Sequence, residues 1–232
     1  MKFTIKSLLC TLTLGVALLT TGCATRNQMA FEDPSERITA TSAPVYLMTV
    51  TIKNNYRNYQ PTLTVTHIEK AAAKNTEDRL LAFFTDAAAK IEAADDKNGN
   101  TYFLRFQLPA GDYSLVGMTS HARSFPVMGT FVIPLVTPIQ AKGNGVYYLG
   151  HIDATVRERK GEEFKAGPTI PLIDQAVTGA SGGSFDIVYS DRLSVDEKTF
   201  KSKFKALEGI EIKKALMPAF DRQKAQKWWE AL

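Results

Sequence analysis

Three short stretches of the sequence combine residue types that could do chemistry. Residues 179–183 read GASGG, the G-x-S-x-G spacing that holds a nucleophilic serine on a sharp turn. His151 and Asp153 lie two residues apart, so on a strand they share one face and could begin a metal site or pair a base with a carboxylate. Cys23 stands where an apolar run gives way to polar sequence.

The sequence around the serine motif does not fit a nucleophile elbow. A nucleophile elbow needs a strand before the serine and a helix after it, whereas the strand-like sequence SFDIVY follows Ser181. The usual order of that triad is serine, acid and histidine, but His67, His121 and His151 all precede Ser181. We therefore expect residues 179–183 to form a loop.

The histidine and aspartate pair is not supported by a complete motif. No third metal ligand stands at a diagnostic spacing from His151, and the chain has no H-E-x-x-H, phosphate-binding loop or dinucleotide fingerprint. A strand histidine bonded to its neighbour is the expected role. The sequence thus predicts no metal, no cofactor and no catalytic site. The alternative prediction is an envelope hydrolase that acts on peptidoglycan or glycan, with His151 and Asp153 in its site.

The first 22 residues have the three parts of a secretory signal. Lys2 and Lys6 precede an uncharged apolar run over residues 7–19, and small residues follow it. The apolar run is shorter than the roughly 20 residues that a membrane-spanning helix needs. We therefore expect residues 1–22 to be a signal peptide.

The junction LTTGC, ending at Cys23, resembles the lipobox of bacterial lipoproteins. The resemblance implies cleavage before Cys23, a diacylglyceryl group on its sulfur and acylation of its freed amine. Thr20 stands where that family usually has leucine, and Leu19 lies one position earlier. Ala24 and Thr25 resemble the residues that direct such proteins to the outer membrane, with the domain in the periplasm or at the cell surface.

Composition is consistent with an exported domain that has no free thiol. Cleavage would remove Cys10 and acylation would consume Cys23, so a disulfide framework and a cysteine nucleophile are excluded. The net charge of +4 includes Lys2 and Lys6, which leaves about +2 on the mature chain and no basic patch for nucleic acid. An apolar fraction of 44% is sufficient for a core.

The elements that would position these residues divide the chain into four parts. These are the signal peptide (1–22), a lipidated N-terminus and tether (23–44), a β-sandwich (45–192) and C-terminal helices packed on it (193–232). Residues 24–44 are polar and lack sustained periodicity, which favours a flexible tether. The alternative is an ordered first strand or a segment that lies along the domain.

Alternating β-branched and aromatic residues predict an antiparallel β-sandwich. The predicted strands cover residues 45–52, 62–68, 101–108, 113–118, 129–135, 145–157 and 184–189. Residues 101–118 are expected to form a hairpin around the turn Pro109 to Asp112. Residues 76–94 have helical spacing, although LLAFFT within them could be a strand.

The phrases LPAGDYSLVGM and GVYYLGHID resemble transthyretin-like or carboxypeptidase-regulatory-like sandwiches of secreted bacterial proteins. That resemblance implies a sandwich used for binding or as a spacer, with no chemistry of its own. We therefore expect a mainly β fold, an antiparallel sandwich with a C-terminal helical segment.

Three helical pieces are predicted after residue 193. Ser194 and Glu197 fit a capping box, and an apolar face continues through Phe200 and residues 204 and 207. A second helix is expected over 210–217 and a third over 221–232.

Trp228 and Trp229 form the candidate interaction surface, because tryptophan is enriched at binding hot spots. The alternative is that one indole closes the edge of the sandwich. Together these features predict a non-catalytic binding or adaptor lipoprotein of the outer membrane, attached through lipid on Cys23, with an envelope protein or glycan as its partner.

Overall fold

Two β-sheets packed face to face form most of the protein. The computed structural model describes residues 25–39, 41–73, 79–91, 98–141, 143–168 and 175–231. The strands are β1 (Thr25–Asn27), β2 (Val45–Asn54), β3 (Thr62–Lys70), β4 (Leu80–Phe84), β5 (Lys90–Ile91), β6 (Asn100–Gln107), β7 (Gly111–Ser124), β8 (Val127–Ala141), β9 (Val146–Glu158), β10 (Gly183–Ser190) and β11 (Ile212–Lys214). The helices are α1 (Leu193–Lys203) and α2 (Arg222–Glu230).

The first sheet has the strand order β1-β4-β3-β7-β8, and the second has the order β10-β9-β2-β6-β5 with β11 also beside β9. This confirms the predicted mainly β sandwich with C-terminal helices. Six of the described strand pairs are antiparallel, as predicted, but the sheets are mixed. β1 runs parallel to β4, and both β2 and β11 run parallel to β9. Long connections between β2 and β9 make that parallel pairing feasible.

The inward faces of the two sheets form the main hydrophobic core. Met48, Phe106 and Ile152 of the second sheet are fully buried there with Met118 and Phe131 of the first. Alternate residues of each strand enter this layer, because successive side chains of a strand point to opposite faces of the sheet. Removing these apolar side chains from water is the main force that holds the sheets together.

A second core lies on the outer face of the second sheet, beneath α1. Leu47, Phe103 and Tyr148 of the sheet pack there against Phe200 and Leu207. The rings of Phe103 and Phe200 meet edge to face with centroids 4.9 Å apart. The predicted apolar face of this helical segment is therefore confirmed, and it makes the second sheet buried on both sides.

The predicted hairpin over residues 101–118 is wrong. β6 pairs with β2 and β5, whereas β7 pairs with β3 and β8 in the opposite sheet. Residues 108–110 therefore cross between the sheets, and the Tyr113 hydroxyl donates to the Pro109 carbonyl oxygen at 3.1 Å. Pro109 and Ala110 lie in this connection, whereas Gly111 and Asp112 of the predicted turn already belong to β7. A turn sequence does not determine whether its two strands pair with each other.

The predicted helix over residues 76–94 is wrong in the described part, and the strand alternative is confirmed. β4 pairs with β3, and it buries Ala82 and Phe83. A short 3-10 turn over Ala87–Ala89 and the two-residue β5 follow. Cross-strand pairing outweighs the helix propensity of the alanines here.

Two details of the C-terminal prediction are also wrong. Helix α1 begins at Leu193 without the Ser194 capping box, and the Asp191 carboxylate accepts the Leu193 backbone N–H at 3.1 Å instead. The helix expected over 210–217 is replaced by β11, which pairs with the start of β9 beyond the end of β10. The last helix forms as predicted, with the Asp221 side chain as its N-cap.

The flexible tether predicted over residues 23–44 is wrong for residues 25–31. Thr25–Asn27 pairs with β4, and Met29 and Phe31 are only 2% and 8% exposed. This segment follows the ordered alternative, because its apolar residues gain burial against the sandwich. Within the described residues, no helix is long and apolar enough to cross a bilayer.

Candidate functional site

A β-bulge in β9 brings Tyr148 and His151 onto the same face of the second sheet. Leu47 pairs with Tyr148 and Thr49 pairs with His151, so β9 has one more residue than β2 over this interval. Gly150 lies in the bulge with φ of 116°, a conformation that favours glycine. Regular alternation would place the two side chains on opposite faces, whereas here both meet residues of the α1 region.

Asp196 of α1 is the acceptor at the centre of a buried polar network. The hydroxyls of Thr49 and Tyr148 both donate to its Oδ2 atom at 2.5 Å. Thr49 and Tyr148 are fully buried, and Asp196 is 3% exposed. Burial, with the Asp196 carboxylate adding to it, raises the pKa of Tyr148 well above its usual range. Tyr148 therefore stays a protonated donor.

His151 joins this network through both ring nitrogens. Its Nδ1 lies 2.8 Å from the Thr49 hydroxyl oxygen. Because the Thr49 proton is directed to Asp196, that oxygen accepts from the Nδ1–H group. The other nitrogen, Nε2, lies 3.2 Å from Arg192 Nη1 and 3.2 Å from Asp153 Oδ2.

The predicted pair of His151 and Asp153 is thus formed, but its two members differ in access to solvent. His151 is fully buried, whereas the Asp153 side chain is 42% exposed. Its contact with His151 is the main reason that the pKa of Asp153 lies below its usual value. Since both His151 nitrogens are within hydrogen-bonding distance of protein side chains, the arrangement fastens α1 to the sheet and does not present a base to a substrate.

Surface depressions lie away from this network. One groove of about 480 Å³ runs between β8 and the segment after β11, lined in part by Ile139, Leu216 and Pro218. A second, of about 580 Å³, lies between α2 and the segment around Glu163. No cluster of three side chains able to hold a metal ion occurs among the described residues.

The serine motif lies in a loop, as predicted. Residues 176–182 form consecutive turns, and β10 begins directly afterwards at Gly183. Gly179 has φ of 89°, so this loop needs a glycine there. A strand rather than a helix follows Ser181, which is the wrong context for a nucleophile elbow.

One of the two tryptophans of α2 packs against the side of the sandwich. The Trp229 ring packs against the main core, with its centroid 6.5 Å from that of Phe164. Trp228 is half-buried. Trp229 thus has the edge-closing contact that the alternative expected, and the interaction surface at Trp228 and Trp229 stays a prediction.

Sequence reasoning missed a buried arginine beneath the second core. Arg105 of β6 is fully buried, and its Nε donates to the Ala30 carbonyl oxygen at 2.6 Å. Its guanidinium also pairs with Asp86 and lies 4.0 Å from the centroid of the Phe204 ring. The available signal was the strand TYFLRFQL, whose apolar residues occupy both faces and indicate burial on both sides.

An ion-pair cluster at the end of β9 was also missed. The Glu163 carboxylate accepts from two Arg157 nitrogens at 2.6 Å and from Arg222 at 2.9 Å. Asp186 accepts from Arg157 Nε at 2.9 Å. These residues are far apart in sequence, so no local spacing indicates the cluster.

Cys23 lies outside the described residues, and so does the signal sequence. The nearest described residue is Thr25, the first residue of β1.

No protein-family model matches the chain, and no curated protein matches it. Among solved structures, one from Bacteroides eggerthii, described as a "putative cell adhesion protein", is similar at 11% identity with a TM-score of 0.21. The similarity covers 63% of this chain and 55% of that protein. It is too distant to contribute to the assignment of fold or function.

Proposed function

We propose that this chain is a non-catalytic binding module of the bacterial outer membrane, held there by lipid on Cys23. The lipobox-like junction supports the anchor, because a cysteine directly after a short apolar signal is the acceptor in bacterial lipoproteins. The sandwich would present its surface to an envelope protein or glycan. The α2 region with Trp228 and Trp229 is the surface we assign to that contact.

The observation that supports a binding role over catalysis is the burial of His151. It is the histidine of the one acid and base pair that the sequence singled out, and it is fully buried with both nitrogens close to protein groups. A general base must reach the proton it removes. Asp153 is exposed, but its role here is to pair with His151.

The anchor is tested by replacing the acceptor cysteine. We expect Cys23→Ala to shift the protein from the membrane to the soluble fraction, and Cys10→Ala to leave it on the membrane. Intact mass spectrometry of the unsubstituted protein should give residues 23–232 plus acyl groups. Tight membrane association of the Cys23→Ala protein would contradict the anchor.

The binding role is tested by crosslinking in cells. One reproducible protein or glycan partner, lost in Trp228→Ala, would support the proposal. Release of soluble fragments from peptidoglycan by the purified protein would instead favour the hydrolase alternative.

A further inference from the structure

We infer that the lipid anchor holds one corner of the sandwich directly against the lipid headgroups, so that the domain does not stand off from the bilayer. This inference rests on the proposed function, because it takes Cys23 as the lipidated residue. The corner consists of residues 25, 68–73 and 79–81, where β1, β3 and β4 lie side by side. We call it the anchor corner.

The chain between anchor and domain is very short. Two peptide units separate Cys23 from Thr25, and they span at most about 7 Å. Thr25 already pairs with Leu81 in the first sheet. Met29 and Phe31 are buried, so the chain after β1 is also held against the domain and supplies no slack.

The direction of β1 determines which end of the sandwich meets the membrane. Leu81, the partner of Thr25, pairs with Ile68, which in turn pairs with Leu115. The N-terminal end of β1 therefore points toward the end of the sandwich where β7 begins at Gly111. Leu115 lies four residues from Gly111, or roughly 13 Å. The 7 Å reach is shorter than this, so the sandwich must tilt onto its β1 side.

The charge distribution fits this orientation. The described residues of four connections at this end, 41–44, 71–73, 108–110 and 143–144, include no ionisable side chain. The anchor corner itself carries Glu69, Lys70 and Arg79, and Glu69 pairs with Arg79, so contact with headgroups would desolvate few unpaired charges. The segment after β1 lies beside β6, because the Ala30 N–H donates to the Arg105 carbonyl oxygen, so the tilt brings the β6 edge of the second sheet toward the bilayer. The exposed acidic residues Glu208 and Glu211 precede β11 at the opposite edge of that sheet, and the tilt moves them away from the bilayer.

The opposite end of the sandwich then points away from the membrane. β7 runs from Gly111 to Ser124, which is roughly 40 Å. The turn after β7 exposes Phe125 completely. A label at this turn and a label at the anchor corner should therefore differ strongly in their distance from the lipid.

Fluorescence quenching in vesicles tests this orientation. The lipidated protein carrying Ala72→Cys or Phe125→Cys is labelled with a fluorophore, since acylation blocks the sulfur of Cys23. Each is reconstituted into phosphatidylethanolamine and phosphatidylglycerol vesicles that contain a lipid with a nitroxide on its headgroup. We expect quenching at residue 72 to exceed quenching at residue 125 by about threefold or more, because the two ends are separated by the length of β7.

A linker variant tests whether the short chain is the cause. Inserting about 20 Gly and Ser residues between Ala24 and Thr25 gives a reach of about 25 Å. We expect this insertion to remove the excess quenching at residue 72 while the protein stays in the membrane fraction. Persistence of the excess would overturn the role of the short anchor.

The result that overturns the orientation differs from the one that overturns the anchor. Equal quenching at residues 72 and 125, in a protein that carries lipid and stays on the membrane, rejects the inference and leaves the anchor intact. An intact mass without acyl groups, with the protein in the soluble fraction, rejects the proposed function itself.

Discussion

At the scale of single residues, the buried polar groups around His151 link helix α1 to the second sheet. Asp196 receives two buried hydroxyls, and His151 reaches the same network through Thr49. A buried hydrogen bond contributes modestly to stability, but an unpaired buried group costs more. The network therefore specifies where α1 lies on the sheet.

Thr49→Val tests this role. The substitution keeps the shape of the side chain but leaves Asp196 and His151 each without one partner, so we expect the free energy of unfolding to fall by about 2 kcal/mol. Urea denaturation of the chain from residue 24 onward measures it. Thr155→Val, at a half-exposed position on the same face of β9, is the control and should change stability by less than about 0.5 kcal/mol. Equal effects of the two variants would show that the network does not stabilise the fold.

Glu163 predicts a pH dependence at the end of β9. The arginines around it, Arg157 first, lower the pKa of Glu163 from 4.5 to about 2. Because the pKa is lower in the folded state, the stabilisation is complete above pH 4.5 and is lost as the pH falls toward 2.

The measurement is the free energy of unfolding across that pH range. We expect Glu163→Gln to lose about 1–2 kcal/mol less than the unsubstituted protein on acidification, since water partly screens these ion pairs. The exposed Glu158→Gln should follow the unsubstituted protein. If Glu163→Gln shows the same acid loss as Glu158→Gln, the ion-pair cluster does not determine acid stability.

At the scale of elements, the bulge in β9 decides which side chains share the outer face. Gly150 has φ of 116°, and a Cβ added there would lie 3.2 Å from the Ser190 carbonyl oxygen. We expect Gly150→Ala to cost about 2 kcal/mol, because it strains the backbone and crowds β10. Thermal or urea unfolding measures it, with Gly143→Ala as the control, since that position has open space around it. A neutral Gly150→Ala would mean that the bulge relaxes without cost.

Arg105 joins three elements that are distant in sequence. It contacts the segment after β1 at Ala30, the connection after β4 at Asp86, and the end of α1 at Phe204. A buried guanidinium needs such partners, because its charge is otherwise costly to desolvate. The segment after β1 is therefore part of the folded domain.

At the scale of the whole molecule, the two cores share one sheet. Strands β2, β6 and β9 send alternate residues into the main core and into the layer beneath α1. Neither core can form without these strands, so we expect the domain to unfold in a single transition.

Coincident unfolding curves from far-UV circular dichroism and from tryptophan fluorescence would support this. The tryptophans report on α2 at the side of the sandwich, while circular dichroism also reports on α1. An early loss of helical signal before the fluorescence change would show that α1 melts separately, and that the outer core is not coupled to the sandwich.

An element of the fold could be predicted when the residues that determine it lie close together in the sequence. Runs of β-branched and aromatic residues between turn residues located β2, β3, β6, β9 and β10 to within two residues at each end, because a strand leaves this pattern in its own sequence. β7 and β8 each end six residues after the predicted strand. Two predicted helices, over 76–94 and 210–217, contain strands instead. β4 in the first forms backbone hydrogen bonds with β3, and β11 in the second forms them with β9. That information lies in distant parts of the chain.

The contacts of the candidate site could likewise be predicted only between residues that are close in sequence. His151 and Asp153 were placed together from their spacing, and the structure confirms that contact. Thr49, Asp196 and Arg192 were not indicated, since they come from β2 and the α1 region and meet His151 only in the folded protein. Burial of His151 by α1 then decided that the pair is enclosed.

The sequence alone determined the mainly β class, the last helix and the lipobox-like junction at Cys23, because each depends on the periodicity or order of neighbouring residues. The tertiary structure alone decided the sheet to which each strand belongs, the packing of residues 29–31 and the closure of the His151 network. Those outcomes depend on pairing and burial between segments far apart in the chain. A local pattern indicates that a residue will be buried or paired, but only the folded structure determines its partner.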